Sequence, residues 1–308
     1  MAANIEIFDD RLKELVYPDA DLEQLASGVV HSEGPVYCPE DGSVVFSEGH
    51  GNRLLCWHED KGVQVLRDPS HYQNGNTLDL EGRLVACSHG QRAIIRREQD
   101  GQWVILVDRY QGKRLNSPND LVIKSDGTIW FTDPPYGITQ PGQGYGGKME
   151  QPSSFVFRFD PATTEIEPVV TEMERPNGLA FSPDERQLYV SDTSEVDYPQ
   201  GHHYIRVYDV LAGRQATNGR VFAVVDPGQP DGFRVDAQGN IFTSSQDSVQ
   251  VFAPDSVLLG KIYVPETVTN LTFGGPEGHC LLITAGESLY RIRVKTRGLV
   301  HVRNGGKS

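Results

Sequence analysis

Arg175-Pro176-Asn177-Gly178-Leu179-Ala180-Phe181 sets an amide side chain and a glycine directly before a short apolar run. Variants of this arrangement recur along most of the chain. Pro118-Asn119-Asp120-Leu121 and Pro230-Asp231-Gly232-Phe233 are two, and Glu33-Gly34-Pro35-Val36 and Asn76-Thr77-Leu78-Asp79 fill the same slot. With Thr269 beside Asn270 as the last copy, the polar anchors are Glu33, Asn76, Asn119, Asn177, Asp231 and Thr269. They lie roughly 40–60 residues apart, the period of a propeller blade. Each is followed by a turn signal: Asp41-Gly42, Glu81-Gly82, Asp126-Gly127, Pro183-Asp184, Gln238-Gly239 and Glu277-Gly278. Such pairs supply the positive φ of tight hairpins. A second apolar run follows every turn, as in Val44-Val45-Phe46-Ser47, Ile129-Trp130-Phe131-Thr132 and Leu188-Tyr189-Val190-Ser191. Their β-branched and aromatic residues favour strands. Third and fourth strands follow in several copies.

Six copies of a four-stranded unit define an all-β chain, a six-bladed β-propeller spanning 19–298. The last copy ends after three strands, near Val294. Leu22-Glu23-Gln24-Leu25-Ala26 belongs to no complete blade and is expected to supply the missing outer strand, closing the ring from the N-terminal side. Residues 1–18 form an extension with a short helix expected over Asp9 to Leu15, and 299–308 read as a polar tail.

The chain has 308 residues and a net charge of −14, which argues against nucleic acid or an anionic membrane as partner. Cys38, Cys56, Cys87 and Cys280 form no Cys-x-x-Cys pair and read as reduced, buried thiols. Met1 to Leu15 carries four acidic residues and no apolar segment, so no secretory signal is read there and a cytoplasmic protein, monomer or homodimer, is expected.

In such a ring the first strand of each blade lies nearest the axis. Glu33, Asn119, Asn177 and Asp231 then converge from blades 1, 3, 4 and 5. Two carboxylates and two amide oxygens are hard donors suited to one divalent cation, Ca²⁺ or Mg²⁺ before a thiolate or imidazole metal. Without a cation the carboxylates would repel and one would take up a proton. Any single Asn-Gly pair is adequately explained as a turn; several in phase, each before an apolar run, are not. The loops joining second and third strands rim the same face. Two are long, Pro134 to Pro152 and Thr193 to His203, and should overhang the anchors. Asn74, Asn76, Tyr136 and His50 fall on that face as candidate ligand contacts, and Asp133 ends a second strand there.

The sequence resembles the gluconolactonase / senescence-marker-protein / luciferin-regenerating-enzyme superfamily, bacterial gluconolactonases above all. The likeness runs from about Glu33 to Leu289. It is carried by Ser32-Glu33-Gly34-Pro35-Val36, Asn74-Gly75-Asn76-Thr77-Leu78, Arg114-Leu115-Asn116-Ser117-Pro118-Asn119-Asp120, Trp130-Phe131-Thr132-Asp133-Pro134-Pro135-Tyr136-Gly137, the opening heptapeptide, and Pro230-Asp231-Gly232-Phe233. The resemblance implies one cation in the channel, Ca²⁺ first, with Mg²⁺, Mn²⁺ or Zn²⁺ as alternatives. It puts the metal ligands on Glu33, Asn177 and Asp231, with Asp231 also the acid/base. It puts a substrate- or water-contacting asparagine on Asn119, a candidate fourth ligand. A substrate-binding arginine of animal members falls at Ser117, so that role is not carried over.

The implied chemistry suits these residue types. A cation can polarise a lactone carbonyl and stabilise the developing oxyanion, while a carboxylate beside it deprotonates water. The expected substrate is an aldonolactone, D-glucono-1,5-lactone first, and Asp133 is the rival base. Two alternatives remain at this level. One is a different ester: a xylonolactone, an acyl-homoserine lactone or an organophosphate. The other is a non-catalytic calcium-binding scaffold. His50 and His89 read as surface loop residues, and His202-His203 as a solvent-facing pair. Gly142-Gln143-Gly144-Tyr145-Gly146-Gly147 lacks the strand and helix of a dinucleotide site and reads as a flexible lid loop. There is no Gly-x-Ser-x-Gly or His-Glu-x-x-His motif.

Overall fold

The computed structural model describes residues 3–299. The four strands of blade 1 are Ser32–Cys38, Ser43–Glu48, Arg53–His58 and Gly62–Arg67. They form an antiparallel meander in chain order, and the same plan repeats to make six blades. The innermost strands of successive blades touch, 1 to 2 and onward to 6, and 6 returns to 1. The expected turns sit between first and second strands. Gly42, Gly82, Gly127, Gly239 and Gly278 all have positive φ, and in blade 4, where Pro183-Asp184 supplies no glycine, Glu185 takes φ 57° instead.

Leu22–Ala26 pairs antiparallel with Ser288–Arg293 as the outer strand of blade 6, closing the ring as the sequence indicated. The structure adds a strand the sequence did not reveal. Ile5–Ile7 pairs with Leu258–Tyr263 and gives blade 5 a fifth strand. A 3₁₀ turn, Asp10–Glu14, follows and buries Leu12 against the hydrophobic core shared by blades 5 and 6. Residues 300–308, most of the expected polar tail, lie outside the described residues. No helix among the described residues is long and apolar enough to cross a membrane. The cysteines are unpaired thiols; Cys87 is buried, and the other three are half-buried rather than enclosed as expected.

The apolar residues pack between blades, while the hub is polar. There each blade is bonded to the next. Ser47 Oγ donates to the Asn74 carbonyl (2.7 Å), Gly75 N to Asn119 O (2.8 Å) and Thr132 Oγ1 to Asn177 O (2.7 Å). Gly178 N donates to Asp231 O (2.9 Å), Gly232 N to Thr269 O (2.8 Å) and Thr269 Oγ1 to Ser32 O (2.7 Å). These six links make a closed belt whose acceptors include the carbonyls of Asn119, Asn177 and Asp231. The belt explains the glycines. A Cβ on Gly75 would lie 2.6 Å from Asn119 O, and one on Gly178 2.5 Å from Asp231 O. The Asn-Gly pairs are therefore not hairpin turns; their glycines let neighbouring backbones meet.

Candidate active site

The hub residues sit on irregular backbone. The first strand carries one extra residue relative to its partner between Glu33 and Val36, Gln73 and Asn76, Pro176 and Leu179, and Val268 and Asn270. In blades 3 and 5 the regular strand starts only at Leu121 and Phe233, after the anchors. A bulge re-aims side chains that a regular strand would alternate between faces. Here it turns oxygen-bearing groups to the axis.

Glu33 is 3 % exposed. Its Oε2 accepts from the Gly34 N–H and, across the blade 6 boundary, from Asn270 Nδ2 (3.0 Å). Asn270 Nδ2 also lies 3.5 Å from Asp120 Oδ2, and Arg234 Nη1 approaches the same oxygen at 3.5 Å. Asn177 Nδ2 donates to Thr193 Oγ1 (3.3 Å), and Thr193 Oγ1 is hydrogen-bonded to the Tyr136 hydroxyl. That contact fixes the amide and leaves Oδ1 as its acceptor end.

Burial dominates the electrostatics. Glu33 is held well above the carboxylate range, first by desolvation and then by the charges of Asp231 and Asp120. Asp231 is pushed up to about 7 by burial and by Asp120, with the Asn177 amide opposing the rise. Asp120 is raised by burial and drawn back by Arg234. Three carboxylates, Glu33 and Asp120 buried and Asp231 half-buried, thus crowd together, and among the described residues the Arg234 guanidinium alone pairs with them. Among the described residues no group of three or more His, Cys, Asp or Glu side chains has metal-holding geometry. A cation would instead take amide as well as carboxylate oxygens. Crowded acids starved of counter-charge, with an oriented amide, fit a hard divalent ion.

The other sequence candidates divide. Asn119 is 5 % exposed; its carbonyl belongs to the belt and accepts Asn74 Nδ2 (3.2 Å), and its side chain makes no hydrogen bond to another described residue. Asn76, expected to meet sugar hydroxyls, is 1 % exposed. Its Nδ2 donates to Gly34 O, Ser47 Oγ and Asn74 O, and its Oδ1 accepts from Gln73 Nε2. The bulge at Asn74-Gly75 gives the open position to Asn74. Asp133, expected as a substrate contact or rival base, is fully buried. Its Oδ2 accepts from Asn116 N (2.8 Å), and burial pushes it up to about 7. Tyr136 is buried and engaged with Thr193, so it positions Asn177 rather than offering a free hydroxyl. His50 is exposed at the rim, stacked on His31 with centroids 4.8 Å apart. His89, expected on the surface, is 3 % exposed. The two long loops do meet over this face, Gln140 Nε2 donating to Asp197 Oδ1 (3.1 Å).

Sequence reasoning missed Asp120, Asn270, Arg234 and Thr193. One signal was available. Asp120-Leu121 and Asn270-Leu271 are the same local device, each side chain accepting from the next N–H at 2.8 Å.

Residues 31–287 match the family described as the SMP-30/Gluconolactonase/LRE-like region. The gluconolactonase of Zymomonas mobilis is 33% identical over 94% of this chain and 86% of its own length. The solved structure of a gluconolactonase from Xanthomonas campestris is 41% identical, with a TM-score of 0.88 and coverage of 96% of both chains. A pentonolactonase of Haloferax volcanii is 28% identical over 82% of this chain and 80% of its own. The fold, the polar hub and these relatives define a propeller hydrolase that opens lactone rings. The chain belongs to the SMP-30/gluconolactonase/LRE-like family.

Proposed function

We propose that this protein is a divalent-metal-dependent lactonase acting on aldonolactones, D-glucono-1,5-lactone first, with gluconate as product. The observation that carries the reading is the crowding of Glu33, Asn177 and Asp231, from three separate blades, in one acidic hub where Glu33 and Asn177 are buried and Asp231 is half-buried. The relatives named as gluconolactonases, at 33% and 41% identity, support the substrate class.

Glu33, Asn177 and Asp231 would hold the ion, with Asn119 as fourth ligand or water holder. When bound, a cation supplies a Lewis acid for the lactone carbonyl and the positive charge the hub acids lack. Asp231 takes a proton from the attacking water as the water oxygen bonds to the acyl carbon, and returns it to the ring oxygen as the ring C–O bond breaks, so that oxygen leaves as a hydroxyl of the open acid. Thr193 and Tyr136 keep the Asn177 amide in one orientation. Burial keeps bulk water from competing with these contacts. Ca²⁺ is the first candidate ion, and Mg²⁺, Mn²⁺ and Zn²⁺ suit the same oxygens. A cytoplasmic enzyme, monomeric or homodimeric, is part of the reading.

The test is a pH-stat assay on gluconolactone with chelator, followed by metal add-back. Loss of the rate with chelator and recovery with a divalent ion is expected. A full rate in chelator would refute the metal-dependent mechanism. The pentonolactonase relative supports a second substrate, a five-carbon lactone. That reading wins if kcat/KM is higher on a pentonolactone than on gluconolactone.

A further inference from the structure

Thr193, whose hydroxyl accepts from the Asn177 amide, opens a short 3₁₀ turn, Ser194–Val196, that ends at Asp197. Two separate pieces of the protein grip this turn, each at both of its ends. Arg175, two residues before Asn177, is the first. Its carbonyl accepts from Thr193 N (3.1 Å), and its Nε donates to Asp197 Oδ2 (2.6 Å). The short helix Tyr136–Thr139, from the long loop of blade 3, is the second. The Tyr136 hydroxyl is bonded to Thr193 Oγ1, and Gln140, at the C-terminal end of the helix, donates from Nε2 to Asp197 Oδ1 (3.1 Å). Gln140 N also donates to Tyr136 O (2.8 Å), which closes the helical turn and makes its two grips one unit.

Asp197 thus gives one carboxylate oxygen to each partner. The side chains of Arg175 and Asp197 are 24% and 19% exposed, so their ion pair is better shielded from solvent than an ordinary surface pair. A second bond, Arg175 Nη1 to Glu174 O (2.9 Å), fixes the guanidinium on its own strand. The two long loops and the start of the first strand of blade 4 therefore meet at a single carboxylate.

We propose that Asp197 is a positioning residue for the ion site. It clamps the Thr193–Asp197 turn between Arg175 and Gln140, and so keeps the Thr193 hydroxyl on the Asn177 amide. Asp197 acts through Thr193 and not by touching the ion. The long loops then have a role besides covering the cup, because their junction braces one of its ligands from outside.

The inference rests on the metal-dependent reading, and its test keeps the two apart. Asp197→Ala removes both acceptors. Asp197→Asn keeps an oxygen for Arg175 Nε, and Gln140 can turn its amide to accept from the new N–H. Ca²⁺ affinity is measured by calorimetry, and thermal melts in chelator check that each variant is folded. Asp197→Ala should bind Ca²⁺ about tenfold more weakly, as for other outer contacts to a ligand, and Asp197→Asn should stay within about threefold of wild type. In a Thr193→Val background, Asp197→Ala should cost less than about twofold more, because residues that act as one unit are not additive. Wild-type affinity in Asp197→Ala, equal losses in the alanine and asparagine variants, or losses that add in the Thr193→Val background would each overturn the clamp. A wild-type protein that binds no divalent ion would instead overturn the functional reading. A metal-free crystal structure of Asp197→Ala then decides the clamp. Separation of Thr193 Oγ1 from Asn177 Nδ2 supports it, and an unchanged contact of 3.3 Å refutes it.

Discussion

Asn270 Nδ2 lies 3.5 Å from Asp120 Oδ2, although blades 6 and 3, which carry them, stand opposite each other in the ring. A contact spanning the axis means the hub is closed at that level. Arg234, three residues beyond Asp231, approaches the same Asp120 oxygen from blade 5. The acidic hub is therefore a cup with a floor, and under the proposed function its ion and substrate would enter from the loop-covered face.

Among the described residues, Arg234 in this floor is the only counter-charge within 4 Å of Asp120. Arg234→Met should destabilise the metal-free protein by about 2–4 kcal/mol, because one buried charge is left without its partner. Added Ca²⁺ should recover part of the loss. Thermal melts with and without chelator read this directly, and a variant as stable as wild type in chelator would refute the role given to Arg234.

Asp231→Ala should lose ion binding and hydrolysis together. Calorimetric titration with Ca²⁺ and a pH-stat assay on one preparation make the check. A variant that hydrolyses gluconolactone at the wild-type rate would end the case for Asp231 as base.

Thr193→Val removes the acceptor that orients Asn177. Outer contacts of this kind are worth about 10–100-fold in metal affinity, so Ca²⁺ should bind roughly tenfold more weakly. Thr193→Ser, which keeps the hydroxyl, should stay within about threefold of wild type on the same scale. Equal affinities for the valine and serine variants would place the effect elsewhere.

Gly178→Ala tests the belt. The added methyl would sit 2.5 Å from the Asp231 carbonyl, so Asp231 must move or the blades must part. A loss of about 1–3 kcal/mol is expected, with activity falling further than stability alone explains. An alanine variant with wild-type kcat/KM would show that the hub tolerates the displacement.

Asp133 sets a pH dependence. Burial pushes its folded value up to about 7, above the ordinary aspartate value of 3.8. The folded state therefore holds a proton that the unfolded chain has released. That contribution is complete below about pH 4 and is lost as the pH rises through about 7. Asp133→Asn keeps an acceptor for Asn116 N and cannot ionise. The variant should gain stability relative to wild type between pH 5 and pH 8, by an amount on the order of a few kcal/mol at most. Urea melts across that range give the sign, and a difference that shrinks with pH would contradict it.

The blades were legible because each repeats a local pattern of strand, tight turn and strand, and local patterns need no partner to be read. The closing strand was legible by elimination, as the apolar stretch left over when the last blade ran short. Ile5–Ile7 was not, since three residues carry too little periodicity to mark a strand. Within the hub, Glu33, Asn177 and Asp231 could be named because each repeat offers one oxygen at one place. Asn76 was misassigned for a physical reason: a one-residue bulge at Asn74-Gly75 changes which asparagine takes the open position, and bulges leave no sequence period. Asp120, Arg234 and Asn270 are defined by contacts across the ring, 114 and 150 residues apart in sequence, which no local reading contains. His89 looked like a loop residue because the segment that covers it is distant in the chain.

The pairing of Leu22–Ala26 with Ser288–Arg293 has a consequence for biosynthesis. Leu22–Ala26 is made before any blade is complete and waits for Ser288–Arg293 before its sheet exists. Five blades can assemble while the nascent chain is still growing, but the circle cannot be locked until Ser288–Arg293 has been made. A product truncated before Ser288 would leave Leu22–Ala26 without its partner strand, an unlocked arc as the form that quality-control machinery would meet.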